Sequence, residues 1–439
     1  MLSLEKIKNI YKFLPASLTA PLFLMPHSLI GGKQFRKTLR ELDDYDRITN
    51  APQRHNLENL VLCEFLSDAI KHVPFYRDWA SKRGLQSIKH YTQIFDFPII
   101  GKELVQDRVE EFIDDRCKAK FPVYTGGTSG SQLKFYHSNK AYAKEWAFLS
   151  NFLAKTGISI DEKRYSLRGV DIKSKSSHWQ LNPVYKEFII SPHANTPDNV
   201  EKMFSSITTF DGKWIHGYPS TVYQFCLALK EKKLFLPSVK AVLLVSEKLH
   251  NFQKDLIEQV LDAKIVSFYG MSERVVFAPL SQEGFTPHRC YGVSELIDGE
   301  HIATGFTNDG TCLIRYRTGD CLKGELDSDG FVKRFESFEG RWGGDFIVGL
   351  SGSKINMTVL NTHSELLNDI EKYQFNQSTL GYCDLLLQTS KRISDQKVTK
   401  IQELFQAKLG ADITLSCKVV EGISVTSRGK HKFVHSNLA

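Results

Sequence analysis

No C-x-x-C pair occurs in this chain: its eight cysteines are scattered, and the closest two, Cys312 and Cys321, stand nine positions apart. That spacing excludes a dense disulfide scaffold and reads as free thiols in a reducing cytoplasm. His288 and Cys290 form one isolated H-x-C, without the paired ligands a zinc site needs. No window reaches the roughly 18–20 apolar residues that span a bilayer. The most apolar N-terminal stretch, residues 18–30, is broken by Pro21, Pro26 and His27. It reads as a segment docking on its own domain or resting weakly on the inner face of a membrane, not as a secretory signal. Low-complexity tracts and internal repeats are absent, and no charge of one sign dominates. With 57 basic and 50 acidic residues the net charge is +7, too mild and too dispersed to demand a nucleic-acid partner.

Three common catalytic signatures are missing as well. There is no Walker loop, no G-x-S-x-G nucleophile elbow and no G-x-G-x-x-G dinucleotide fingerprint. What is present instead is Y-T-G-G-T-S-G-S-Q-L-K-F-Y, residues 124–136. Gly126, Gly127 and Gly130 interleave with Thr125, Thr128, Ser129 and Ser131. Glycines permit close approach of the backbone, and amides with hydroxyls supply donors for an anion. Phosphate fits this loop; a flexible Ser/Gly linker is the bland alternative.

The rest of the chain points to an α/β protein. Apolar residues at Leu57, Leu60, Val61, Phe65, Ala69 and Val73 predict a helix over 57–73 ending at Pro74, followed by an ordered turn at V-P-F-Y-R-D-W. Residues 240–273 read as strand, amphipathic helix, strand: a βαβ unit with parallel strands. Ligands on such sheets sit at the carboxyl ends of strands, which assigns Ser246, Glu247 and the segment Tyr269–Glu273 to one rim. L-I-R-Y-R-T-G-D, residues 313–320, reads as a strand ending in a tight polar turn. After Gly343 and Gly344 the pattern becomes strand, helix ending at Gly410, strand. The expected architecture is a large multi-layer domain with parallel βαβ units over residues 1–342, and a small α+β lid over 343–439. The paired glycines are either a hinge or a static turn.

Taken in order, these motifs resemble the adenylate-forming ligases, and within them the phenylacetate–CoA ligase branch and its CapK-type capsular polysaccharide relatives. The resemblance rests on the 124–136 loop, H-G-Y-P-S (216–220), S-E-K-L (246–249), Y-G-M-S-E (269–273), Y-R-T-G-D (316–320), G-R-W-G-G-D-F-I (340–347) and T-S-R-G-K-H-K-F-V (426–434). It covers nearly the whole chain. It implies that a carboxylic acid is activated by ATP as its acyl-adenylate, with release of pyrophosphate, and that the acyl group then passes to an amine or sugar acceptor or to CoA. The setting implied is cell-surface polysaccharide assembly; a general acyl–CoA ligase and a non-catalytic nucleotide-binding scaffold are the alternatives.

The residue roles implied are chemically coherent. The 125–131 loop would hold phosphates, with Thr128 and Glu273 at Mg²⁺. Ser246, Glu247, Tyr269, Gly270, Met271 and Ser272 would surround the nucleotide, and Asp320 would accept from its ribose hydroxyls. Arg341 offers a permanent cation to ribose or phosphate. Lys430 would bridge the carboxylate and α-phosphate, with Lys432 as rival. Arg168, His216 and Tyr218 would line the acyl pocket. Two departures stand out: the hydroxyl in Y-G-M-S-E comes from Ser272 where many relatives carry threonine, and G-R-W-G-G-D has one residue more than the commoner G-R-x-D-D.

Overall fold

The computed structural model describes residues 20–124, 133–168, 178–191, 194–247, 249–338, 346–356, 360, 364–367, 369–370, 372–389, 391–423, 433–436 and 438. Helices α1 (Gly32–Arg47), α2 (Ala51–His72), α3 (Pro74–Ser81) and α4 (Lys102–Asp107) come first. They precede the hairpin of β1 (Lys120–Tyr124) and β2 (Lys134–Ser138), and helix α5 (Asn139–Lys155). An alternating stretch follows: β3 (Arg164–Leu167), β4 (Trp179–Asn182), β5 (Glu187–Ile190), α6 (Pro197–Phe210), β6 (Trp214–Gly217), α7 (Pro219–Glu231), β7 (Ala241–Leu244), α8 (Asn251–Leu261) and β8 (Lys264–Gly270). Six strands come next: β9 (Phe277–Ser281), β10 (Gly284–Phe285), β11 (Gly292–Ile297), β12 (Glu300–Gly305), β13 (Tyr316–Leu326) and β14 (Val332–Phe338). The C-terminal part holds β15 (Phe346–Val348), β16 (Lys354–Asn356), β17 (Lys372–Thr379), β18 (Tyr382–Gln388), α9 (Asp395–Leu409), β19 (Thr414–Val420) and β20 (Val434–Ser436).

Two compact units result. The first comprises Met1–Thr125, Leu133–Ile160 and Ser267–Glu339; the second comprises Gly126–Gln132, Asp161–Val266 and Gly340–Ala439.

In the first unit, antiparallel strands run in the order β11-β12-β13-β14-β10-β9, and the end of β8 pairs with β9 from Phe268 onward. The expected helix at 57–73 begins earlier, at Ala51, because the Asn50 side chain accepts the Gln53 N–H and caps it. V-P-F-Y-R-D-W is helix α3 rather than a turn. Pro74 ends one helix and starts the next, since its fixed φ and missing N–H suit a first helical turn. The core places Leu62 and Leu66 of α2, Tyr76 and Trp79 of α3, Phe97, Phe112 and Phe135 in one cluster. Trp79 stacks on Phe97 at 4.4 Å between ring centroids. Each such side chain contributes about 1.5–3 kcal/mol when fully buried. The Tyr76 hydroxyl accepts the Ile314 N–H at 2.9 Å, tying α3 to the approach to β13.

The second unit contains the parallel strands. β3 lies between β5 and β6, β7 extends the row beside β6, and β4 closes it antiparallel to β5. Helices α6 and α7 both begin at proline, which sets their first turns directly after extended chain. The Lys264 N–H donates to the Lys240 carbonyl, and the strand–helix–strand reading of 240–273 matches the element order β7, α8, β8. The C-terminal segment forms its own small α+β module with strand order β19-β18-β17-β20. Strands β18 and β19 are parallel across α9, which stops at Gly410 with φ +73°. Tyr373, Phe375, Leu385, Ile401 and Phe405 fill its core.

Candidate active site

In the first unit, Y-G-M-S-E and Y-R-T-G-D converge. Tyr269 is the penultimate residue of β8, Asp320 lies in β13, and the Tyr269 hydroxyl donates to Asp320 Oδ2 at 2.8 Å. Behind the tyrosine, His301 Nδ1 is 3.2 Å from the same hydroxyl, and His301 Nε2 is 2.9 Å from Ser294 Oγ. One proton arrangement satisfies all three contacts. Tyr269 donates to the carboxylate, His301 donates from Nδ1 to the tyrosine oxygen, and Ser294 donates to Nε2. Burial pushes the His301 ring down to about 3, so it stays neutral at physiological pH. The Phe335 ring meets His301 and Tyr269 edge-on, at 5.0 and 5.7 Å, and closes the cluster with an apolar wall.

The Y-R-T-G-D segment opens strand β13 instead of ending a strand in a turn. The turn precedes it, where Arg315 adopts φ +51° and its guanidinium spans the Glu295 carboxylate and the carbonyls of Phe95 and Phe97. Thr318 donates to the His301 carbonyl at 2.8 Å and accepts the Asp320 N–H at 3.1 Å. Gly319 takes φ +72° between them, and the register against β12 shifts between Glu300 and Ile302. This bulge aims Asp320 at Tyr269.

Ser272 and Glu273 are held from below. His137 Nε2 on β2 donates to the Ser272 carbonyl at 2.8 Å; burial, then the Arg274 charge, lower that histidine to about 3. Glu273 is 8% exposed and accepts from the Tyr316 hydroxyl at 3.4 Å. Arg274 follows at φ +60°, ion-paired with Glu145. A side chain at Gly270 would put its Cβ 2.9 Å from the Phe268 ring. Strand β2 is fastened on its other side too. The Tyr136 N–H donates to Thr311 Oγ1 at 2.9 Å, and Asn308 Nδ2 donates to the Tyr136 carbonyl at 2.9 Å. A Cβ on Gly310 would stand 2.7 Å from that carbonyl oxygen. The hairpin whose two strands flank the Gly/Ser/Thr loop is therefore anchored to the Y-G-M-S-E turn. His137, Ser294, His301, Asn308 and Thr311 were not singled out in the sequence. The T-N-D-G-T turn at 307–311 was a usable signal; the histidines carried none.

In the second unit, Arg168 directly follows β3, and His216 lies in β6. Arg164 and Arg168 both donate to Glu187 Oε1, at 2.8 and 3.0 Å, while Asn182 Nδ2 donates to Oε2 at 3.0 Å. Burial opposes ionisation of Glu187, but the two guanidinium charges outweigh it and hold the carboxyl below its usual range. His216 stacks on Trp214 at 5.9 Å. Burial, then the charges of Arg168 and Arg164, press it well below the usual histidine range. Tyr218 precedes α7 and packs against the core of the C-terminal module; burial pushes its hydroxyl up to about 12. Glu247 accepts the Ser220 N–H at 3.0 Å and the Ser220 hydroxyl at 3.1 Å, so its carboxylate sits on the first turn of α7. Ser246 beside it adopts φ +67°.

Thr125, Gly126, Gly127, Thr128, Ser129, Gly130, Ser131, Arg341, Lys430, Lys432 and the Gly343–Gly344 pair lie outside the described residues. The strand after the lysine segment is in place: Phe375 N–H donates to the Phe433 carbonyl at 2.7 Å as β20 joins β17. Among the described residues no group of three or more His, Cys, Asp or Glu could hold a metal ion. His288 is packed between the Tyr45 and Phe148 rings, and burial lowers it to about 4. Magnesium bound largely by substrate phosphates asks for only one or two protein carboxylates, and Glu273 fits that oxygen-ligand chemistry. No helix among the described residues is long and apolar enough to cross a membrane.

The fold is that of the adenylate-forming ligases. The structure is similar to that of 2-hydroxyisobutyryl-CoA ligase, solved with 2-HIB-AMP and CoA in its thioesterification state. The TM-score is 0.54 at 16% identity, over 88% of this chain and 90% of the other. Within that class the likeness is to CapK. Residues 347–437 match the CapK C-terminal domain. The chain is 24% identical over 430 residues to Protein CapK of Staphylococcus aureus, covering 93% of this chain and 96% of the relative.

Proposed function

We propose that this protein activates a carboxylic acid as its acyl-adenylate and passes the acyl group to an amine-bearing acceptor or to CoA, in cell-surface polysaccharide assembly. One carboxylate oxygen bonds to the α-phosphorus of ATP, the bond to the bridging oxygen breaks, and pyrophosphate leaves with the electron pair. No redox partner is needed. The observation that carries the reading is the meeting of Tyr269 and Asp320, 51 residues apart, over a buried neutral histidine. An acceptor carboxylate beside an aromatic ring suits a ribose diol and a purine face.

In this reading Asp320 and Tyr269 hold the nucleoside. Glu273 and Thr128 hold Mg²⁺, which would neutralise charge on the phosphates. The loop from Thr125 to Ser131 supplies amide and hydroxyl donors. Arg341 and Lys430 are assigned to phosphate and carboxylate charge as the motifs imply, and residues 343–439 to a lid that moves between the two half-reactions. CoA as acceptor is supported by the fold shared with a ligase solved with CoA; an amine in polysaccharide assembly is supported by the CapK likeness. Carboxylate-dependent exchange of pyrophosphate into ATP tests the first half-reaction. Acceleration of AMP release by CoA or by an amino sugar then identifies the acceptor. Exchange lost in Lys430→Ala and kept in Lys432→Ala would settle which lysine acts.

A further inference from the structure

Arg164 and Glu187 open the parallel strands β3 and β5, while Arg168 follows the carboxyl end of β3 beside His216 of β6, and together they carry a charge imbalance that ATP binding does not use. Arg164 is 1% exposed and Glu187 4%, so both lie within the protein, and Arg168 is 28% exposed at the edge of the same cluster. Two guanidinium groups share one carboxylate, and the third ionisable member, His216, is held neutral. Among the described residues of the cluster one positive charge is therefore in excess. The Glu187 carboxylate is committed on both oxygens, to the two arginines and to Asn182. The next carboxylate, Glu247, is bonded to Ser220.

Arg168 spends Nε on Ser166 Oγ at 3.3 Å and Nη2 on Glu187; Nη1 makes no hydrogen bond among the described residues. Next to it, His216 is 5% exposed, and its Nδ1 is buried with no hydrogen-bond partner. A buried polar atom without a partner is costly unless something else supplies the bond. Gly217 follows, where a Cβ would stand 2.5 Å from Val222 Cγ2. The chain thus packs tightly under the cluster while the cation remains accessible at its rim, where ligands meet a parallel sheet.

We propose that the acid activated by this protein carries a second anionic group, and that Arg168 with His216 recognises it. This rests on the acyl-adenylate reading for the identity of the ligand, while the anion site itself does not. Arg168 forks towards a planar or tetrahedral anion; His216, neutral, contributes a ring nitrogen without adding charge. Glu187 fixes the Arg168 head, and Arg164, by sharing that carboxylate, leaves the Arg168 charge incompletely neutralised.

A matched series tests it: butyrate, succinate and 3-phosphonopropionate, each assayed in ATP–pyrophosphate exchange and, without ATP, for binding by calorimetry. The wild-type protein is expected to prefer one of the two dianions over butyrate by about tenfold or more, and the preferred one tells carboxylate from phosphonate. In Arg168→Gln that ratio falls towards one, and Arg168→Lys keeps part of it. Equal use of butyrate and both dianions by the wild type, or a ratio unchanged in Arg168→Gln, overturns the proposal. Dianion binding that Arg168→Gln abolishes, with no exchange for any acid, upholds the anion site and refutes adenylation. Neither binding nor exchange overturns both.

Discussion

Asp320 owes its position to Thr318 and Gly319, and its partner Tyr269 owes its proton arrangement to His301. Tyr269→Phe keeps the ring and removes the hydroxyl. KM for ATP in pyrophosphate exchange is expected to rise roughly three- to tenfold, because Asp320 loses the donor that orients its carboxylate. An unchanged KM would mean that the pair does not position nucleotide. The buried histidines of the first unit predict a pH dependence. His137 and His301 are held to about 3 and His288 to about 4 by burial. The unfolded chain binds these protons near pH 6.5 and the folded one does not. Stability is therefore fully present above about pH 6.5 and is lost as pH falls towards 4 for His288 and towards 3 for His137 and His301, on the order of 1 kcal/mol per pH unit for each ring. Thermal midpoints measured from pH 7.5 to 5 should fall, and His288→Phe, in a pocket already lined by Tyr45 and Phe148, should flatten the slope. A pH-independent midpoint would contradict those burials. Tyr269 and Asp320 were legible in the sequence because each sits in a recognisable short motif. His301 was not, since only pairing of β11, β12 and β13 brings it behind Tyr269.

Elements were easiest to read where one period ran uninterrupted. Helix α9 ends at the expected glycine, and the strands on either side fall where their apolar runs put them. V-P-F-Y-R-D-W misled because a proline after a helix suggests a break; here it also opens the next helix. Y-R-T-G-D misled because its glycine marks a bulge within a strand, which a one-dimensional pattern does not distinguish from a turn. The start of α7 supplies a prediction at this scale. Glu247 caps the helix through Ser220, so Glu247→Ala should cost about 1–2 kcal/mol of stability, measured by denaturant unfolding. No loss of stability would show that the contact is not a cap. Gly217→Ala should also destabilise the protein, by about 1–3 kcal/mol, because Val222 stands where the new Cβ must go.

For the molecule as a whole, α/β character and a small C-terminal α+β module were readable from alternating strand and helix patterns. The composition of the two compact units was not. Residues 133–160 and 267–339 join the N-terminal helices, whereas 161–266 cluster with 340–439, an interleaving set by contacts distant in sequence. The account's central claim, ATP-dependent activation of a carboxylate with Asp320 holding the nucleotide, is tested most directly by ATP–pyrophosphate exchange across a panel of carboxylic acids, with wild-type protein and Asp320→Ala side by side. It predicts exchange that requires an acid and falls at least about a hundredfold in the variant while the circular dichroism spectrum is preserved. Exchange that persists undiminished in Asp320→Ala, or wild-type protein that exchanges with no acid and shows no affinity for Mg-ATP, would contradict it.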